Sequence, residues 1–168
     1  NHERWTPIGA NGKFEGTFDG QDHKIEGVFV TVKGKAAAGL FANAKYVKNL
    51  TVLNSQIYGQ YKAGVIVGDG LCSRITNCHV DGCEVVSTPY NEENANNVGG
   101  IVGYLSAENE AYVKDCTVKN TRIVAYRKVG GIVGSANQTA VVSGNSVENV
   151  VVVADMTAKY KEVEVADA

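Results

Sequence analysis

The 168-residue sequence is poor in the features that mark several large classes of protein. It contains two Pro, one Met and one Trp, and its formal net charge is −2 with a pI of about 5.9. A nearly neutral chain offers no electrostatic reason to bind nucleic acid or an anionic membrane surface. Its apolar runs all fall short of the roughly 18 residues that a membrane span requires, so we expect no membrane insertion.

An initiator Met and an apolar leader are also lacking at the first residue, Asn1. From this start we expect a processed piece that is covalently part of a larger chain.

Four cysteines would permit three disulfide connectivities if all were paired. Cys78 and Cys116 occupy a position that Leu50 fills in another repeat, which predicts buried, unbridged thiols that replace an apolar residue. Cys72 lies in a predicted loop and Cys83 follows a predicted turn. Neither these cysteines nor the nearby His79 show the ligand spacing of a zinc site, so no metal and no cofactor are predicted.

What the sequence does contain is 19 Gly and a phrase that occurs five times, with a β-branched residue at its centre. The central residues are Ile25, Val52, Val80, Val118 and Val147, at spacings of 27, 28, 38 and 29 residues. A β-branched residue follows five positions later, at Val30, Ile57, Val85, Ile123 and Val152. Gly, Asn or Asp precedes each centre by three positions (Asp22, Asn49, Asn77, Asp115, Gly144) and follows it by two (Gly27, Asn54, Gly82, Asn120, Asn149). A fixed pattern with a variable period is typical of a solenoid.

The fold class follows from this repeat, because no segment has a helical period that could supply crossover helices between parallel strands. We predict one all-β domain over 1–168, a right-handed parallel β-helix (β-solenoid) of about five coils and about 24 Å in length. Residues 1–20 would be an aromatic N-terminal cap, 21–153 the repeat coils, and 154–168 a strand-like C-terminal cap or a tail. Alternation over 161–165 is typical of a half-exposed closing strand, and a helix or a disordered tail is the alternative.

A second, Gly-rich strand is predicted between the valine phrases. Its copies are 38–42, 63–68, 98–103 and 129–134. A phosphate-binding loop is the functional alternative, but no Lys-Ser/Thr and no helix follow, so glycines that permit close backbone approach at a tight corner are the favoured interpretation.

Alignment of the copies also predicts ladders of outward side chains. One ladder places Lys119 between Asp81 and Glu148, and another places Glu84 beside Arg122. The separation of the two carboxylates, about 9.6 Å over two coils, is near the upper limit for an inverting glycosidase pair. A cation between them would favour two ionised acids, so a polysaccharide-processing enzyme is an alternative and a non-enzyme is the prediction.

Polar, acidic segments at 87–97 and 104–111 lengthen one coil and are predicted to be protruding loops. Loops on a rigid scaffold are frequent recognition sites, and tyrosines beside polar groups suit sugars or a protein partner. The predicted ligand-binding residues are Tyr90, Glu92, Glu93, Tyr104, Glu108, Glu110 and Tyr112. Solvent-exposed loop tyrosines without a ligand are the alternative.

The chain resembles the GLUG-repeat family of bacterial surface proteins and of the N-terminal regions of IgA1-protease-type enzymes. The segments that carry the resemblance are FEGTFDGQDHKI (14–25), AGLF (38–41), ITNCHV (75–80) and GGIVG (99–103 and 130–134). The resemblance implies a β-helical, often adhesin-like module of a larger secreted or cell-surface bacterial protein, and it implies no reaction. Together with the loop tyrosines, it leads us to predict a non-catalytic adhesion, ligand-binding or spacer module with a glycan or a host protein as partner. A purely structural stalk is a further alternative.

Overall fold

The structure is a computed structural model that describes residues 4–89, 96–108, 110–137 and 139–155. In chain order its strands are β1 (Phe14–Asp19), β2 (Lys24–Glu26), β3 (Phe29–Thr31), β4 (Ala44–Leu53), β5 (Gln56–Gly59), β6 (Lys62–Gly64), β7 (Val67–Leu71), β8 (Arg74–Asp81), β9 (Glu84–Ser87), β10 (Asn97–Gly99), β11 (Val102–Ser106), β12 (Tyr112–Lys114), β13 (Thr117–Lys119), β14 (Arg122–Ala125), β15 (Lys128–Gly130), β16 (Val133–Ala136), β17 (Val141–Ser143), β18 (Ser146–Glu148) and β19 (Val151–Ala154). Within the described ranges, no helix has the length and apolar character needed to cross a bilayer.

These strands form four parallel sheets that the chain visits in turn. Sheet I contains β1, β2, β4, β8, β12, β13, β17 and β18, and sheet II contains β3, β5, β9, β14 and β19. Sheet III contains β6, β10 and β15, and sheet IV contains β7, β11 and β16. Each strand therefore pairs with the equivalent strand of the next coil, which confirms the predicted parallel β-helix.

The central residues of the five phrases form one column along sheet I, as predicted. Cα partners run from Ile25 to Val52, then to Val80, Val118 and Val147. Val52, Val80 and Val118 are buried, whereas Val147 is 48% exposed because it belongs to the last described coil. The prediction of a shared column is confirmed, but its interior character does not extend to that coil.

The ten Gly, Asn and Asp residues that flank the phrase centres all have positive φ, between 45° and 71°. The left-handed region is costly for most L-residues and is open to Gly and, through local hydrogen bonding, to Asn and Asp. Some of these turn residues also form hydrogen bonds with the equivalent residue of the next coil. Asn77 Nδ2 donates to Asn49 Oδ1 at 2.9 Å, and Asn149 Nδ2 donates to Asn120 Oδ1 at 2.7 Å. The repeated turn residues thus set the bends between strands.

We predict that Gly27→Ala lowers the free energy of unfolding by about 1 kcal/mol, whereas Gly27→Asn has a much smaller effect. Gly27 has φ +71° and an added Cβ would meet no atom within 4 Å, so the cost is one of backbone conformation alone. Urea denaturation followed by circular dichroism measures both variants. Equal losses for Ala and Asn would contradict this origin of the cost.

The Gly-rich segments were predicted to be single strands. In the structure they are corners between sheets III and IV. Three of the four predicted strands are divided in two, for example into β10 and β11, with residues 100–101 at the bend. The fourth, 38–42, forms only isolated bridges through Ala38 and Phe41. A Cβ on Gly103 would lie 2.6 Å from both Ala63 N and Gly68 O. The prediction of glycines that permit close backbone approach is therefore correct, and the approach is close enough to bend the chain.

Cysteines and aromatics fill the interior without disulfides. All four cysteines are free; Cys78, Cys83 and Cys116 are buried and Cys72 is half-buried. The hydrogen bond with the Cys116 side chain, together with burial, raises the pKa of Cys78, and burial raises the pKa of Cys83 to about 11. The prediction that Cys78 and Cys116 pack unbridged is confirmed.

At the N-terminal end, the rings of Phe14 and Phe18 pack on Phe41 with centroids 5.8 and 5.2 Å apart. These aromatics belong to β1, which itself pairs with β4 as the first strand of sheet I. At the other end, the predicted closing strand within 154–168 lies outside the described residues from position 156 onward.

Candidate functional site

The structure separates the predicted ligand-binding residues. Tyr104 lies within β11 on sheet IV and Tyr112 within β12 on sheet I. Glu108 and Glu110 are exposed between these two strands. Tyr90, Glu92 and Glu93 lie outside the described residues and stay predictions.

The proposed loop at 104–111 is wrong in its first part, because residues 104–106 continue a strand. Leu105 is fully buried and pairs with Gly70 of the preceding coil. The alternation of inward and outward side chains overrides the polar character of this stretch, which the sequence prediction took for a loop.

Tyr112 belongs to a row of outward side chains that crosses sheet I. Its in-register partners are, from one end of the stack to the other, Thr17, Tyr46, Arg74, Tyr112 and Val141. Tyr46 and Tyr112 are both half-buried and lie two coils apart, or about 9.6 Å at the spacing of paired strands. We call Tyr46, Arg74 and Tyr112 the tyrosine–arginine row.

Arg74 contacts one tyrosine of this row and a glutamate beside it. Its guanidinium carbon lies 4.8 Å from the centroid of the Tyr46 ring, and its Nη2 lies 2.9 Å from Glu110 Oε2. Lys114 Nζ lies 4.4 Å from the centroid of the Tyr112 ring. Cation–π contacts of this kind hold an aromatic ring in one orientation, which lowers the entropy that a ligand must remove on binding.

A second outward row runs beside the first and contributes charge. Asp19, Lys48, Thr76, Lys114 and Ser143 are its in-register members. Lys48 Nζ lies 3.1 Å from Asp19 Oδ2. Hydrogen bonds from the Asn49 side chain and the Gln21 backbone, with Lys48, lower the pKa of Asp19 to about 2. This carboxylate therefore stays ionised across the physiological range and neutralises Lys48.

Between the two rows lies a groove of about 240 Å³. Its outward-facing lining residues are Thr17, Tyr46, Lys48, Arg74, Thr76 and Tyr112. Half-buried aromatic rings with hydroxyl, guanidinium and ammonium groups beside them can stack on the apolar face of a sugar and bond its hydroxyls.

The sequence prediction missed Tyr46 and Arg74, which lie outside the enlarged coil. A signal was available, since Tyr46, Arg74 and Tyr112 all stand six positions before the phrase centres Val52, Val80 and Val118. Extending the alignment by a few residues toward the N-terminus would have placed them in one row.

Tyr104 takes part in a different cluster, on sheet IV. Lys62 Nζ lies 4.5 Å from the centroid of the Tyr104 ring and 2.7 Å from Asp69 Oδ2. Asp69 and Tyr104 are Cα partners on adjacent coils. Tyr104 and Tyr112 therefore do not form one site.

The carboxylate ladder considered for catalysis is confirmed as a ladder. Asp81 pairs with Lys119 and Lys119 with Glu148 in register. Lys119 Nζ lies 2.7 Å from Glu148 Oε2, and this carboxylate raises the pKa of Lys119. Arg122 Nη1 likewise lies 2.9 Å from Glu84 Oε1, as the predicted charge alternation requires. Lys119 therefore lies between the two carboxylates and is bonded to one of them.

His79 points outward between Thr51 and Thr117. Its Nδ1 lies 2.9 Å from Thr117 Oγ1 and its Nε2 lies 3.1 Å from Asn77 Oδ1. In the part of the chain that the structure describes, no three His, Cys, Asp or Glu side chains cluster as metal ligands would.

Comparison with known proteins bears on the fold. A family described as "Right handed beta helix region" matches residues 16–166. No curated protein and no solved structure matches the chain. The match covers most of the sequence, so the chain belongs to the right-handed β-helix family, in accord with the four parallel sheets.

Proposed function

We propose that this β-helix is a non-catalytic ligand-binding module that attaches to a glycan through the tyrosine–arginine row. The observation that carries the proposal is the placement of Tyr46 and Tyr112 two coils apart on one face, with Arg74 between them.

The spacing of the two strands that carry Tyr46 and Tyr112 points to one class of glycan. About 9.6 Å is comparable with the length of a disaccharide unit in an extended β-1,4-linked polysaccharide. In such a chain every second sugar presents the same face, so two sugars of a strand lying along the helix axis can each stack on one tyrosine. The hydroxyl of Thr76 and the ammonium of Lys114 lie in the adjacent row, within the reach of sugar hydroxyls.

The module is further proposed to be a GLUG-repeat domain of a larger secreted or cell-surface bacterial protein. The support is the FEGTFDGQDHKI segment, of which β1 and β2 are the strand portions, together with the Gly-rich corners. An adhesion role follows if the larger protein uses the module to hold a polysaccharide surface.

Affinity electrophoresis in gels that contain soluble β-1,4-linked polysaccharides tests the proposal. The unaltered protein is expected to be retarded, and Tyr46→Ala or Tyr112→Ala to weaken the affinity by about tenfold each, as the loss of one stacking contact predicts. Tyr126→Ala is the matched control, because Tyr126 lies beyond the end of β14 on sheet II, away from the groove.

Two results would count against the proposal. Retardation that survives in both Tyr46→Ala and Tyr112→Ala would exclude the tyrosine–arginine row, and its loss on deletion of 90–95 would favour the predicted loop containing Tyr90, Glu92 and Glu93. Absence of retardation in every polysaccharide would favour a structural spacer. Release of reducing sugar that is lost in Asp81→Asn would favour the enzyme alternative.

A further inference from the structure

Three cations stand in the two outward rows that border the groove, and two of them are already neutralised. Lys48 Nζ lies 3.1 Å from Asp19 Oδ2, and Arg74 Nη2 lies 2.9 Å from Glu110 Oε2. Within the described ranges, no carboxylate lies at ion-pair distance from the third cation, Lys114. Lys114 therefore brings to the two rows a positive charge that no described acid balances.

The strand register explains why Lys114 lacks a counter-charge. Its Cα partners on the two adjacent coils are Thr76 and Ser143, and both of these carry a neutral hydroxyl. Asp115 follows Lys114 in the chain, but its Oδ1 faces the turn at Gly144, where a Cβ would collide with that oxygen. The ammonium is thus flanked by two hydroxyls instead of by an acid.

Another lysine of sheet I shows the opposite arrangement. The Cα partners of Lys119 are Asp81 and Glu148, and its Nζ lies 2.7 Å from Glu148 Oε2. A lysine on this sheet can therefore be neutralised by the stacking of coils alone. The missing acid beside Lys114 is a property of that position.

Lys114 also lies next to the surface on which a sugar would stack. Its side chain is half-buried, and its Nζ lies 4.4 Å from the centroid of the Tyr112 ring. Tyr112 and Thr76 both line the groove. A partly buried charge is screened by solvent less than an exposed one. An anionic group on the edge of a sugar ring at Tyr112 would therefore meet an ammonium and two hydroxyl donors.

We propose that the glycan bound by the tyrosine–arginine row is acidic, and that Lys114 pairs with a carboxylate or a sulfate ester on the sugar that stacks on Tyr112. This inference rests on the proposed function, because it names the class of glycan for the same groove. The hydroxyls of Thr76 and Ser143 donate to further oxygens of the acidic group. At the Tyr46 end the neighbouring cations are already paired, so no acidic group is required there.

Affinity electrophoresis with three soluble polymers of one backbone tests the proposal. The polymers are a neutral β-1,4-linked glucan, its counterpart oxidised to a carboxylate at C6, and its counterpart sulfated at C6. The unaltered protein is expected to bind an acidic polymer about three- to tenfold more tightly than the neutral one, as one charge-assisted contact predicts. The preference should shrink as the salt concentration rises.

Three variants separate a local contact from a general effect of charge. Lys114→Gln is expected to abolish the preference and to leave the affinity for the neutral polymer unchanged. Lys114→Arg retains the positive charge and should retain the preference. Lys119→Gln is the matched control, because it removes the same charge from the same sheet at a position that does not line the groove. Thermal melts of each variant separate loss of binding from loss of the fold.

A preference that is lost in Lys114→Gln and kept in Lys119→Gln supports the proposal, and the polymer that shows it identifies the acidic group. Equal affinity of the unaltered protein for neutral and acidic polymers overturns the inference and leaves the proposed function standing. A preference that Lys114→Gln and Lys119→Gln reduce equally reflects net charge and also overturns it. If none of the three polymers retards the protein, the inference and the proposed function fail together.

Discussion

Gly103→Ala is expected to destabilise the β-helix by more than about 3 kcal/mol, above the usual cost of overpacking a core. The new methyl group would lie 2.6 Å from Ala63 N and Gly68 O and 2.7 Å from Asn97 O. These are main-chain atoms of three strands, and they cannot move without breaking the ladders of sheets III and IV. Chemical denaturation followed by circular dichroism measures the loss.

Gly16→Ala is the matched control for Gly103→Ala. An added Cβ there would meet the Phe14 ring at 3.1 Å, which is the end of a side chain that can shift. We expect a change below about 1 kcal/mol at this position, in line with surface substitutions. Similar losses for the two variants would mean that close packing at the corners does not determine the stability of the stack.

Val85→Ala is expected to lower the free energy of unfolding by about 2–3 kcal/mol, and Val152→Ala by less than about 1 kcal/mol. Both valines belong to one column of sheet II, with Ile123 between them. Val85 is fully buried, whereas Val152 is 42% exposed. Both substitutions remove two methyl groups from the same column. The difference between the two losses therefore measures how much a further stacked coil adds to the stability contributed by such a valine.

Thermal and urea denaturation of the pair give the comparison. Equal losses would show that the last described coil is covered as thoroughly as a central one in solution. A small loss at Val85 would instead mean that the column is loosely packed.

Much of this architecture could be predicted from sequence because the solenoid repeats its constraints. A Gly, Asn or Asp such as Asn77 or Gly82 recurs wherever the backbone must enter the left-handed region, and β-branched residues such as Val80 recur wherever a side chain must enter the core. A single copy of such a pattern would be weak evidence for the strand register, but agreement among five copies fixes the register of sheets I and II.

The predictions that failed concern segments in which the local composition and the pattern of strands disagree. The Gly-rich segments read as strands because Val98 and Val102 favour that state, whereas close backbone packing at glycines such as Gly103 bends the chain between them. Tyr104 was placed in a loop because its neighbours are polar, although its strand partner Asp69 holds it on sheet IV.

The binding site was predicted only in part for a related reason. Tyr112 and Glu110 are near a groove, but Tyr46 and Arg74 are remote from them in sequence and become neighbours only through stacking.

The parallel stacking of coils has a mechanical consequence. Hydrogen bonds between coils run along the helix axis, so a pull on the two ends of the stack loads them in line rather than in shear. The ladders of one coil would then break before those of the next. The stack would therefore lengthen stepwise, one coil at a time, while the remaining coils stay folded.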